Sequence, residues 1–169
     1  MRLNRGQVPQ VSRQMVQALV QAGDIEVADQ REVERDFESV MNTYLGQVDQ
    51  VLSRARDLVQ QRGLPQGEFG RIKRLAAEQA GIKIDDEGID HLLEQLLAML
   101  MHSGSVEEVF SEDHEIKRRI RVFLRAEEQA HHNLDAEVRS KLKHVKEGTR
   151  MWEIEYERMM ADIKRRRGV

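Results

Sequence analysis

The sequence predicts an all-α fold. Of its 169 residues, 40% are apolar and 34% are charged, and only two are proline, which is typical of a soluble helical protein with a modest core. Apolar residues recur at spacings of three and four along most of the chain, the period of a one-sided helix. We therefore expect a helical bundle or an elongated helical assembly.

The first predicted helix follows the N-terminus. Asn4 is a residue type that caps helix starts, and Pro9 fits the first turn, where its missing N–H costs little. Gly23 fits the left-handed position that follows a helix end. Between them the apolar residues lie at helical spacing: Val8, Val11, Met15, Val16, Leu19 and Val20.

The same pattern begins again 81 residues later. Asp85 then aligns with Asn4, and Gly104 aligns with Gly23 in the same left-handed role. The aligned apolar pairs are Val8 with Ile89, Val11 with Leu92, Met15 and Val16 with Leu96 and Leu97, and Leu19 with Leu100. The repetition predicts two tandem, related helical units, residues 1–81 and 82–169. Gly81 alone marks the boundary and no flexible linker separates the units, so we expect them to pack together.

Each unit continues in the same order. A short extended piece (residues 25–29 and 106–113) precedes a long helix. Asp29 and Glu32 form a capping-box pattern at the start of the first long helix, and residues 63–65 end it. The second long helix is predicted to end at Gly148. Gly46 and Asn133 are positions at which either long helix can bend or break.

A last helix closes each unit, with Ile72-Lys73-Arg74 in the first and Ile163-Lys164-Arg165 in the second. The opening MRL, the glycine-closed helix, the acidic cap and this closing pattern resemble the bacterial domain-of-unknown-function family 507, as two tandem copies over nearly the whole chain. The closing pattern of the second copy consists of Tyr156, Met159, Met160, Ile163, Lys164 and Arg165. The resemblance implies a bacterial, cytoplasmic, helical protein and no particular reaction.

Catalytic motifs are not found. The chain has neither a phosphate-binding glycine loop nor a metalloprotease motif, and without cysteine it has no disulfide or zinc–thiolate site. Glu128 and His131 are spaced as in the Glu-x-x-His element of di-iron bundles, but a second pair would have to come from a homodimer. A metal-binding bundle is therefore the weaker alternative to an ordinary polar helix face. We expect no enzyme activity, no cofactor and no small-molecule substrate.

Two basic clusters suggest a second kind of partner, RNA or the ribosome. The first cluster lies on one side of the second long helix, and the second lies at the C-terminus. They consist of Lys117, Arg118, Arg121 and Arg125, and of Lys164, Arg165, Arg166 and Arg167. The alternative is a solvated charged face, since residues 112–115 supply carboxylates and basic residues complement helix C-termini. With 4% aromatic residues, stacking on single-stranded nucleic acid is not expected.

Trp152 and Tyr156 lie among several methionines near the C-terminus, where adaptable binding surfaces and ordinary cores both use methionine. These two aromatic residues are the predicted partner-facing patch. Residues 96–101 form the longest apolar run, which is too short to span a bilayer. The leading interpretation is thus a non-enzymatic cytoplasmic protein that binds a protein partner or itself, or serves as a structural subunit.

Overall fold

The computed structural model describes residues 3–146 and 149–167, which are mostly α-helical. It contains six helices and two short strands, joined in places by 3₁₀ turns at Arg5–Gln7, Gln66–Glu68 and Asp85–Glu87. In chain order the elements are α1 (Val8–Ala22), β1 (Ile25–Val27), α2 (Gln30–Gln61), α3 (Phe69–Gln79), α4 (Gly88–His102), β2 (Val106–Val109), α5 (Asp113–Lys141) and α6 (Arg150–Arg167).

The boundaries of α1 follow from its sequence. The Asn4 side chain accepts a hydrogen bond from the Gly6 N–H at 3.2 Å, which caps the 3₁₀ turn before the helix. Pro9 lies in the first turn, as predicted. Gly23 follows the helix with φ 73°, and its N–H bonds back to the carbonyls of Leu19 and Val20. A left-handed glycine with these bonds is a common way to end a helix.

Four helices form one bundle with a shared apolar core. α1 and α4 each pack against both α2 and α5. Neighbouring helices are antiparallel, because Arg5 contacts Asp49 while Arg13 contacts Glu34, and Tyr44 contacts His91 while Asp36 contacts Ser103. The core is contributed by both halves of the chain and extends along α2 to Leu45 and along α5 to Leu124.

The two halves bury residues at matching positions. Six residues of α1 are buried, and the residues 81 positions later in α4 are buried as well: Ile89, Leu92, Leu93, Leu96, Leu97 and Leu100. For the long helices the shift is 83, and five buried residues of α2 correspond to buried residues of α5: Ile116, Ile120, Leu124, Leu134 and Val138. The order helix, strand, long helix, helix also occurs twice.

The extended pieces pair with each other, which the all-α class does not include. β1 and β2 form a two-stranded antiparallel sheet in which Ile25 faces Val109. Gly104 was wrongly predicted to match Gly23. In the described residues the glycines with positive φ are Gly23, Gly63 and Gly81, and α4 ends instead in an extended Ser103. A turn at Gly104 and Ser105, in which the Val106 N–H donates to the Ser103 carbonyl at 3.3 Å, then leads into β2 without a left-handed glycine.

The long helices run without a break through Gly46 and Asn133. One glycine costs a helix interior only about 1 kcal/mol relative to alanine, and the buried neighbours Tyr44 and Leu45 offset that cost. The second long helix is shorter than predicted, because α5 ends at Lys141. The expected end at Gly148 lies outside the described residues.

Beyond the bundle, each long helix continues and is covered by a terminal helix. We call these extensions arm 1 (residues 51–82, with α3) and arm 2 (residues 134–169, with α6), of which the structure describes 51–82, 134–146 and 149–167. Since α2 and α5 are both antiparallel to α4, both arms leave the bundle at the end opposite the sheet. Each has a small core of its own. Arm 1 buries Val51, Ala76, Ala77 and Ile82, and arm 2 buries Leu134, Val138, Leu142, Met160 and Ile163.

An ion pair with a buried carboxylate ties the first half of the chain to the second. The Asp24 side chain is 4% exposed and accepts hydrogen bonds from both Nε and Nη2 of Arg119 and from the Ser111 hydroxyl at 2.7 Å. Burial by itself would raise the pKa of Asp24, but the bonds from Arg119 and Ser111 and the guanidinium charge hold it below 3.8. A second hydrogen bond joins the loop after α4 to the first half of the chain, since the Ser103 hydroxyl donates to Asp36 of α2 at 2.9 Å.

Loss of this ion pair should destabilise the fold in a pH-dependent way. We expect Arg119→Ala to lower the urea midpoint of unfolding at pH 7, because it leaves a buried carboxylate without its cation. The lowered pKa of Asp24 means that the contribution is present above its ordinary pKa and is lost as acid protonates the carboxylate. The gap between the two proteins in urea titrations should therefore narrow as the pH falls below the ordinary pKa of an aspartate.

The neighbouring Arg118→Ala is the matched control, because Arg118 makes no ion pair with a described residue. It should change stability by no more than about 0.5 kcal/mol. An equal loss in both variants, or a gap that does not change with pH, would contradict the assigned role of the Asp24–Arg119 pair.

Candidate functional site

The predicted basic cluster of α5 is partly neutralised by α4. Lys117 binds Glu94 at 2.8 Å, and Arg121 binds Asp90 at 2.5 Å. Arg118 and Arg125 are exposed and make no ion pair with any described residue. The sequence thus placed all four on one side of the helix, away from the buried Ile116, Ile120 and Leu124. It gave no sign that α4 supplies carboxylates to two of them.

The C-terminal cluster also has an internal partner. Arg165 and Arg166 both bind Asp162, at 2.6 Å and 2.9 Å. Lys164 is half-buried, and the side chain of Arg167 lies outside what the structure describes. The two predicted clusters lie on different parts of the molecule, one on the bundle and the other at the end of arm 2.

A shallow groove between α4 and α5 has a counterpart of opposite polarity between α1 and α2. The first measures about 300 Å³ and is lined by Asp90, Glu94, His114, Lys117, Arg118 and Arg121. In the groove between α1 and α2, the short helix α1 supplies the cation, because Arg13 of α1 faces Glu34 of α2 at 3.8 Å. Glu94 and Lys117 occupy the matching positions with exchanged charges. The two halves thus form an ion pair at matching positions, but the cation and the anion have exchanged helices.

Trp152 and Tyr156 contact the protein's own arm 2. Their rings stack at 4.9 Å between centroids, and the Arg139 guanidinium lies over both at 5.2 Å and 5.8 Å. The Tyr156 hydroxyl donates to Asp135, which also accepts from Arg139. Both rings are half-buried against the arm 2 core. The apolar residues that α6 turns outward are Met151 and Ile154, at 62% and 52% exposed, and sequence reasoning missed Ile154.

Glu128 and His131 line an open cleft of about 310 Å³ where arm 2 leaves the bundle. The other lining residues are Asp85, Asp86, His132, Asp135 and Arg139. In the described part of the chain, no group of three His, Asp or Glu side chains is arranged to hold a metal ion. The Glu-x-x-His spacing is therefore present on the helix, but further protein ligands are not assembled around it within the described residues.

Burial shifts the pKa values of three groups near this cleft in the direction that favours their neutral forms. Burial, followed by the charges of Asp85 and Glu128, raises the pKa of Tyr44 to about 12, and its hydroxyl donates to the Lys83 carbonyl at 3.1 Å. Burial also raises the pKa of Glu127 and, with a smaller effect of Lys83, lowers that of His91. A neutral phenol of such high pKa donates a hydrogen bond and is a poor nucleophile at neutral pH.

Charge is distributed unevenly between the bundle and the arms. Residues 51–82 and 134–169 contain 16 Lys and Arg against 10 Asp and Glu, a net charge of +6. Residues 1–50 and 83–133 contain 11 against 20, a net charge of −9. The chain total of −3 conceals this separation, because the two contributions largely cancel. A net charge of one sign over a whole region attracts partners of the opposite sign.

Cations without an ion pair are concentrated on the arms. Among the described residues, three such arginines lie on the bundle: Arg31, Arg118 and Arg125. The arms carry eight such cations: Arg54, Arg56, Arg62, Arg74, Lys143, Lys146, Arg150 and Lys164. Sequence reasoning missed the four arginines of arm 1, although the excess of arginine over carboxylate in residues 51–82 is visible once that segment is counted by itself.

A family model described as "Protein of unknown function (DUF507)" matches residues 1–169. The chain belongs to this family. The match runs through the bundle and both arms, so the whole arrangement of helices falls within the DUF507 family. No curated protein matches the chain. None of the helices in the described ranges combines the length and apolar character needed to cross a membrane.

Arm 2 should unfold before the bundle. Trp152 is the only tryptophan, and it lies on α6, which is attached through five buried residues. Regions with few buried apolar contacts open at lower free energy than the global transition. We expect the urea midpoint of tryptophan fluorescence to fall about 0.5–1 M below the midpoint of far-ultraviolet circular dichroism. Coincident midpoints would instead indicate one cooperative unit.

Proposed function

We propose that this DUF507 protein is a non-enzymatic interaction protein of the bacterial cytoplasm, in which an acidic bundle holds two basic arms that bind a partner. The separation of −9 on the bundle from +6 on the arms is the observation that carries the proposal. The clefts at the arms are open and lined by mixed charges, which suits a contact surface better than a site that encloses a substrate.

RNA, alone or in the ribosome, is the second candidate for the partner. The eight arm cations without an ion pair favour it, because a phosphate chain offers many anions at regular spacing. A protein partner with an acidic surface remains the first candidate, and the exposed Met151 and Ile154 of α6 favour it, since apolar side chains contribute to protein interfaces.

Capture from the native host tests the interaction proposal and separates the two candidates. The immobilised full chain should retain a defined set of partners, and the Arg56→Glu, Lys143→Glu, Arg150→Glu variant should lose most of that set. The control variant Arg31→Glu, Arg118→Glu, Arg125→Glu has the same charge change on the bundle and should keep it. Partners released by ribonuclease support RNA, and partners that resist it support protein.

Two results would contradict this proposal. Equal losses in both variants would mean that the arms are not the binding surface. A wild-type chain that retains nothing above an unrelated acidic protein, or that turns over a substrate, would remove the interaction role itself.

We also infer that the two halves descend from one duplicated helical module. The matching burial at shifts of 81 and 83, and the repeated order of elements, support this inference. A repeated helical pattern by itself is weak support for duplication, since all amphipathic helices share one period. The exchanged charges of Arg13–Glu34 and Glu94–Lys117 are more specific, because they place ion pairs at matching positions.

A circular permutant tests the duplication. In a twofold arrangement, the link from the first unit to the second is equivalent to a new link from the second to the first. We therefore expect a chain that starts at Ile82 and joins the original ends through a short Gly/Ser linker to fold. Its loss of stability should stay below about 2 kcal/mol, or roughly 4–8 °C in Tm. A permutant cut at Gly46, within α2, is the control, and it should fail to form the bundle.

A further inference from the structure

We propose that the end of α2 on arm 1 binds the phosphate backbone of helical RNA through Arg54, Arg56 and Arg62. This inference rests on RNA being the partner, the second candidate above, and it specifies the surface and the form of the RNA. The three arginines lie within nine residues, about 12 Å along the helix axis: Arg54 and Arg56 are on opposite flanks of α2, and Arg62 is the residue that follows its last turn.

These three arginines are available for a new contact. Each is exposed and makes no ion pair with a described residue. Lys117 and Arg121 are bound to carboxylates of α4, and Arg165 and Arg166 share Asp162. A cation that is already paired must lose its carboxylate before it binds phosphate, so the free energy of the lost ion pair offsets part of the free energy of binding. Arg74 is left out because it borders a cleft that also contains Glu78 and Glu87.

The arginines stand on a rigid support. α2 is continuous from the bundle core into arm 1, and α3 covers its last turns through Ile72, Ala76 and Ala77. A rigid backbone reduces the conformational entropy lost on binding. The planar fork of arginine also matches two phosphate oxygens at once, which the ammonium group of lysine does not.

The composition of arm 1 favours a helical form of the nucleic acid. Phe69 is the only aromatic residue of arm 1, so the arm lacks the stacking platform that binding of single strands uses. Helical RNA is recognised mainly through its phosphates, its 2′-hydroxyls and its shape, which require no aromatic residues. The bundle, with a net charge of −9, repels phosphate and therefore leaves the arms as the surface that RNA can approach.

The test measures binding of the full chain to a fluorescent RNA duplex of about 16 base pairs at several salt concentrations. The variant Arg54→Gln, Arg56→Gln, Arg62→Gln should bind on the order of 100-fold more weakly at 0.1 M salt, and the slope of log K against log salt should fall by about 2–3. The control Arg31→Gln, Arg118→Gln, Arg125→Gln removes three exposed, unpaired arginines from the bundle and should retain the wild-type slope. Circular dichroism melts show whether both variants remain folded.

The outcomes separate this inference from the function on which it rests. A wild-type chain without measurable affinity for any RNA at 50 mM salt would remove RNA as the partner. RNA binding that the control weakens as much as the arm 1 variant, or more, would overturn the arm 1 site while leaving RNA binding in place. Tighter binding to a single strand of the same length would overturn the helical form, and tighter binding to the matching DNA duplex would overturn the assignment to RNA.

Discussion

The apolar seam shared by four helices is the constraint on which the rest of the molecule depends. α1 and α4 have 15 residues each, and isolated helices of that length are marginal in water. Each buries its apolar face against the long helices of both halves, so neither half has a complete core without the other. The Asp24–Arg119 pair joins the loop after α1 to α5 and thereby fixes which residues of the seam meet. Because α2 and α5 continue into the arms, the seam also determines where the arms point.

The halves differ most at the point where the arms begin. In the first half, Tyr44, Leu45 and Val51 are buried, so the apolar contacts of the bundle run on into arm 1. At the matching positions the second half has Glu127 and Glu128, and no buried residue follows Leu124 until Leu134. Burial raises the pKa of Glu127, so its charged form is less favourable in the folded protein than in the unfolded chain. The coupling between arm 2 and the bundle is therefore weaker than that between arm 1 and the bundle.

The sequence predicted those parts of the structure that depend on local periodicity. The alignment at a shift of 81 identified buried positions of α1 and α4 because helical spacing determines which face an apolar residue occupies. Ile72 and Ile163 of the closing helices are likewise buried. The pairing of β1 with β2 and the ion pairs of Lys117 and Arg121 could not be found in this way, because their partners lie 23 or more residues away. The stacking of Trp152 on Tyr156 was missed as an internal contact, since four-residue spacing permits it but does not exclude a free surface.

The separation of charge along the molecule favours anion binding at the arms only if salt screens the arms from the negative charge of the bundle. The last turns of α2, residues 51–61, extend about 16 Å beyond the bundle core at 1.5 Å per residue. The Debye length is about 8 Å at physiological ionic strength, so a phosphate bound near Arg62 is largely screened from the acidic bundle. Arg31 and Arg118 lie on the bundle among carboxylates such as Glu34 and Glu94, and no such screening separates them. Exposed arginines thus differ in their affinity for anions according to their distance from the acidic bundle, and the long helices determine that distance.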